Sequence, residues 1–128
     1  MNKIGSPNFA GTLVLIVEDN WHVGNALKKL LTTLGADVVG PVSNVTEAKR
    51  LMLADRPDVA SVDVRLRDGE LAYSLIEALL EHNIPVVVTS GDAVLPERFE
   101  KVVKVLPKPF TLSSVQSTLS QVLGPKGQ

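Results

Sequence analysis

The stretch Leu13-Val14-Leu15-Ile16-Val17-Glu18-Asp19 decides the fold, because an uninterrupted apolar run ends abruptly in two acids. Runs this apolar and rich in β-branched residues read as strands buried on both faces of a parallel sheet. The pattern recurs along the chain. Val59-Ala60-Ser61-Val62 leads to Asp63, Pro85-Val86-Val87-Val88 to Thr89-Ser90, and Val102-Val103-Lys104-Val105-Leu106 to Lys108-Pro109. Polar groups at the carboxyl ends of parallel strands share one crevice.

Between these runs the apolar period changes to that of a helix. Val23, Leu27, Leu30, Leu31 and Leu34 recur at spacings of three and four before Gly35, which predicts an amphipathic helix over Asn20 to Leu34. Asn44 or Ser43 caps a second helix carrying Val45, Ala48, Leu51 and Met52, and Pro57 ends it. Ala72, Leu75, Ile76 and Leu79 mark a third. A weaker helix spans Pro96 to Lys101 with Phe99 as its anchor, and a last one runs from Thr111 through Leu112, Val115, Leu119 and Val122 to Gly124-Pro125. Asp37-Val38-Val39-Gly40 supplies a short strand, expected at the sheet edge because Pro41 follows.

Strand and helix thus alternate five times. Right-handed crossovers then give an α/β fold of flavodoxin-like type, a five-stranded parallel sheet of order 2-1-3-4-5 with helices on both faces. The chain reverses its direction of winding at the first strand, so Glu18-Asp19 and Asp63 border the switch point where such folds bind ligands.

The chain has 128 residues, 45% hydrophobic and 21% charged, which suits one globular domain. That domain is expected over 12–123, with flexible ends at 1–11 and 124–128. A net charge of -1 offers no footprint for nucleic acid or an anionic membrane. Cysteine is absent, which excludes disulfides and thiol chemistry. Met1 to Gly11 lacks the apolar core of a signal peptide and no segment reaches the length of a membrane span, so a cytoplasmic protein is expected.

Three carboxylates brought within a few ångströms repel one another unless a cation sits among them or a pKa rises. Hard oxygen ligands with room for water suit Mg²⁺. A carboxylate also serves as a nucleophile toward phosphorus when the incoming charge is neutralised. Lys108 and a cation would do this, Thr89 would donate a hydroxyl to a phosphoryl oxygen, and a cis Lys108-Pro109 bond would turn the lysine back toward the site. Taken singly, each island has a plain reading: a strand-to-helix loop for Glu18-Asp19, an Asx turn for Asp63, a capped turn for Thr89-Ser90-Gly91-Asp92. Their joint occurrence at four strand ends favours a single site. His22 and His82 lack companions for a metal centre, and Trp21 reads as packing or partial surface.

The segments VLIVEDN, SVDVRLRDG, PVVVTSGD and VLPKPF resemble the signatures of the response-regulator receiver domain of two-component signalling, over roughly Thr12 to Leu123. The resemblance implies that Asp63 is the phosphoacceptor and that Glu18, Asp19, Asp63 and the backbone carbonyl of Arg65 bind Mg²⁺. It implies that Thr89 and Lys108 contact the phosphoryl group, which a histidine kinase or histidine phosphotransfer protein supplies, and that the domain hydrolyses its own aspartyl phosphate without acting as an enzyme on others. Arg65 and Gly91 take positions that tune the phosphoryl lifetime in the family. Thr89 and Val105 take the switch positions, Val105 replacing the usual aromatic residue. GPVSNV, DGE and LPERF are similar to segments of stand-alone receivers of alphaproteobacteria.

The expected product is therefore a stand-alone receiver that signals by contact with a downstream protein target, with no nucleic-acid or membrane partner. A docking-only receiver and an excised receiver of a larger kinase or transcription factor are the nearest alternatives. An aspartyl-phosphate hydrolase would carry its nucleophile in a paired-acid motif on the first strand. A nucleotide or flavin binder would have a glycine-rich loop where Glu18-Asp19 stands.

Overall fold

A computed structural model describes residues 9–89 and 95–124. Five strands form one parallel sheet of order β2-β1-β3-β4-β5: β1 (Leu13–Val17), β2 (Asp37–Val42), β3 (Val59–Val62), β4 (Val86–Val88) and β5 (Val103–Val105). Successive residues of a strand point to opposite faces, which divides the core in two. Leu15, Val17, Ala60, Val62, Val86 and Val88 pack beneath α2 (Val45–Asp55), α3 (Tyr73–Glu81) and the single turn α4 (Glu97–Glu100). Val14, Ile16, Val59 and Val87 pack beneath α1 (Trp21–Thr33) and α5 (Leu112–Leu123).

Side-chain caps set the helix starts. Asn20 accepts from the Val23 amide and Asn44 from the Glu47 amide, while Thr111 and Ser114 form a reciprocal capping box. Asn44 rather than Ser43 therefore caps α2. Leu27 and Leu31 of α1, Ala48 and Met52 of α2 and Val115 and Leu119 of α5 are buried as their spacing predicts, but Leu112 is exposed.

The structure departs from the sequence expectation in four places. β2 lies at the sheet edge but runs on through Pro41 to Val42, so that Val42 accepts a hydrogen bond from the Glu18 amide. β5 is not buried on both faces: as the other edge strand it leaves Val102 and Val105 exposed, and Val103 and Leu106 carry its packing. Phe9, within the expected flexible start, is buried against the α1–α5 face, and its amide donates to the Leu34 carbonyl at 3.0 Å. A 3-10 turn at Arg67–Gly69, between β3 and α3, has no counterpart in the sequence reading. The remaining expected flexible positions 1–8 and 125–128 lie outside the described residues, as do Ser90 and Gly91.

Gly40 is where the extension of β2 depends most on a missing side chain. Its φ is +98°, and a Cβ there would stand 2.6 Å from the Ile16 carbonyl oxygen. Gly40→Ala is expected to destabilise the protein by about 2 kcal/mol from backbone strain and overpacking together. Thermal melting should show a fall of roughly 6 to 10 °C, and an unchanged melting temperature would mean that β2 does not hold this path.

Candidate functional site

Sheet register builds the site. Val17 pairs with Val62, Val62 with Val88 and Val88 with Val105, so four strand ends stand in one row. The ladder continues one residue further, with the Asp63 amide donating to Val17 at 2.9 Å and the Thr89 amide to Val62 at 3.0 Å. Glu18, Asp63 and Thr89 are thus neighbours because the residues before them are hydrogen-bonded neighbours. All three are buried, at 5%, 7% and 2% exposure, whereas Asp19 is half-buried.

One oxygen from each of Glu18, Asp19 and Asp63 lies within 4.8 Å of the others. Lys108 Nζ closes the far side, 3.2 Å from Glu18 Oε1 and 3.4 Å from Asp63 Oδ2, and its bond to Pro109 is cis. Glu18 Oε2 also accepts from the Asn20 amide at 3.2 Å, and Asp63 Oδ1 from the Arg65 amide at 3.2 Å. An open cavity of about 450 Å³ borders Glu18, Asp19, Trp21, Asn44 and Arg67. Three hard carboxylates, two of which line this water-accessible space, form a donor set that fits a small hard cation.

The expected repulsion appears at Glu18, though burial outranks it. Desolvation first and the Asp63 charge second push the Glu18 carboxyl above its ordinary value of 4.5, against the Asn20 amide and Lys108, which lower it. Burial alone would lower the pKa of Lys108, but Glu18 and Asp63 overcome it and hold the ammonium above 10.5.

Other expected residues take less central places. Val105 stands in register beside Val88 with its side chain exposed, the Arg65 side chain is exposed, and Gly91 lies outside the described residues. Arg67 was missed by sequence reading. Its Nη2 donates to the Asp19 carbonyl at 3.3 Å across 48 residues of chain, and no local pattern marks such a contact.

The model of the response regulator receiver domain matches residues 14–120. The chain belongs to this family. Its receiver fold is also that of SdrG from Sphingomonas melonis Fr1, with a TM-score of 0.79, 35% identity, and coverage of 88% of this chain and 96% of that one. A BeF3-activated conformation of SdrG, from Pseudomonas melonis Fr1, matches at a TM-score of 0.76 with 35% identity, covering 89% and 98%. In sequence, this receiver is 29% identical over 119 residues to the phyllosphere-induced regulator PhyR of Methylorubrum extorquens, covering 88% of this chain and 43% of PhyR. It spans less than half the length of the curated relatives it matches, at 43%, 30% and 41%. Receiver domains of this family work in two-component signalling. Among the described residues no helix is long and apolar enough to cross a membrane.

The raised Glu18 pKa has a sign that can be measured. The folded protein binds this proton more readily than the unfolded chain, so its contribution to stability is complete below about pH 4.5 and is lost as pH rises through the higher folded value. Glu18→Gln should therefore gain on the order of 1 kcal/mol over wild type at pH 7 in EDTA, and lose the gain at pH 4. Urea unfolding at several pH values measures the difference, and parallel pH profiles for the two proteins would refute the assignment.

Proposed function

We propose that this receiver is a phosphoacceptor response regulator that takes a phosphoryl group onto Asp63 from a phosphohistidine on a histidine kinase or histidine phosphotransfer protein. The observation that carries the reading is the buried Asp63 carboxylate set within 4.8 Å of two further acids and 3.4 Å from an ammonium. An Asp63 oxygen attacks phosphorus as the donor's P–N bond breaks, and the bonding pair leaves with the imidazole nitrogen. Glu18, Asp19 and Asp63, with the Arg65 backbone carbonyl, would hold Mg²⁺, which neutralises phosphoryl charge when bound. Lys108 is already placed on Asp63 and supplies a second positive charge from the protein. Thr89 follows β4 at the same level and donates its hydroxyl to a phosphoryl oxygen.

The transfer is self-directed. Asp63 is the acceptor of its own reaction, and water later removes the phosphoryl group, at a rate influenced by Arg65 and Gly91. Thr89 and Val105 carry the switch to a downstream protein target, Val105 without the swing of an aromatic ring. The near-neutral net charge favours contact with proteins over nucleic acid or an anionic membrane, and the likeness to PhyR and SdrG supports a bacterial cytoplasmic signalling protein. The BeF3-activated state of SdrG supports the same chemistry here.

Incubation with acetyl phosphate and Mg²⁺, followed by intact mass, tests the acceptor. Wild type and Asp68→Asn should gain one phosphoryl group that EDTA prevents, and Asp63→Asn should gain none. Equal labelling of Asp63→Asn would move the acceptor elsewhere.

A further inference from the structure

We infer that Arg67 is a positioning residue for the cation site, fixing Asp19 through its main-chain carbonyl; the inference rests on the reading of the three acids as Mg²⁺ ligands. Two of these acids need no further support. Glu18 and Asp63 continue hydrogen-bonded strands, and Lys108 pairs with both. Asp19 differs, being half-buried in the short link between the end of β1 and the cap of α1 at Asn20. Among the described residues no ion pair reaches its carboxylate, and its main-chain carbonyl accepts the hydrogen bond from Arg67 Nη2. Repulsion from Glu18 and Asp63 would turn a loosely held carboxylate outward.

Arg67 is equipped to resist this because its own segment is braced. The chain after Asp63 folds into a small hairpin, with the Ala72 amide donating to Val64 at 2.9 Å, Arg65 bridged to Leu71, and the Leu66 amide donating to Glu70 at 2.8 Å. Its reversal uses positive φ at Asp68 (63°) and Gly69 (77°). Val64, Leu66 and Ala72 are buried beneath it. Glu70 Oε1 then accepts from the Val45 amide at 3.2 Å, which fastens the hairpin to the start of α2. Arg67 projects from this anchored loop to the Asp19 carbonyl, so one hairpin ties the acceptor strand to the starts of both α1 and α2.

The two effects of an arginine here have opposite signs. Its charge repels a nearby Mg²⁺ and weakens binding, whereas its hold on Asp19 preorganises a ligand and strengthens binding. If positioning dominates, Arg67→Ala should weaken Mg²⁺ binding, measured by titration calorimetry, by about tenfold, and Arg67→Lys, which keeps a charged donor, should recover to within about threefold of wild type. Melting in EDTA should be nearly unchanged for both variants, since Arg67 is exposed. Binding by Arg67→Ala as tight as wild type or tighter is the result of charge alone, and overturns the inference while leaving acetyl phosphate labelling of wild type intact. Equal weakening in Arg67→Lys also overturns it. Absence of Mg²⁺ binding by wild type would overturn both this inference and the proposed function.

Discussion

The parallel hydrogen-bond ladder that aligns Val17, Val62 and Val88 is the constraint on which the rest of the molecule depends. It is built from backbone groups that must be paired once buried, and the valines that bury them are nearly identical in shape. The ladder therefore fixes register without reference to function. Yet the residue following each valine is Glu18, Asp63 or Thr89, and each inherits its neighbours from the strand before it. A slip of one residue would turn every side chain of a strand to the other face, so packing on two faces and alignment of the acids are the same requirement.

The alignment has an electrostatic cost that the fold meets from within. Burial and the Asp63 charge both oppose ionisation of Glu18, and Lys108 offsets part of this by pairing with Glu18 and Asp63. Buried ion pairs seldom stabilise a protein relative to apolar residues of similar size. Lys108 reaches Glu18 and Asp63, whereas among the described residues no ion pair reaches Asp19, on the side where the cavity opens. The fold places this acid cluster at the carboxyl ends of the central strands β1 and β3.

Much of this was legible in the sequence because the signals are local. Apolar runs named the strands, and their polar terminators named Glu18, Asp19, Asp63, Thr89 and Lys108. Caps such as Asn20, Asn44 and Thr111 marked helix starts within a residue or so. What escaped depends on partners distant in the chain. β2 continues past Gly40-Pro41 because Glu18 offers it an amide, and Phe9 is ordered because Leu34 receives it. β5 has the composition of a buried strand, but its place at the edge exposes Val105. The hairpin after Asp63 shows only a short apolar alternation at Val64 and Leu66, and nothing in it marks the contact of Arg67 with Asp19.

If Glu18, Asp19 and Asp63 form one cation site that exists only in the folded protein, Mg²⁺ must raise the stability of that fold. The direct measurement is the melting temperature of wild type and Asp63→Asn as Mg²⁺ is raised from EDTA conditions to millimolar concentration at fixed ionic strength. A ligand bound only by the native state stabilises it by about 2.7 kcal/mol at a hundred times its dissociation constant. A shared site gives a wild-type curve that climbs with the logarithm of Mg²⁺ concentration and a distinctly smaller rise for Asp63→Asn. Curves that stay flat, or that rise equally in both proteins, would contradict it.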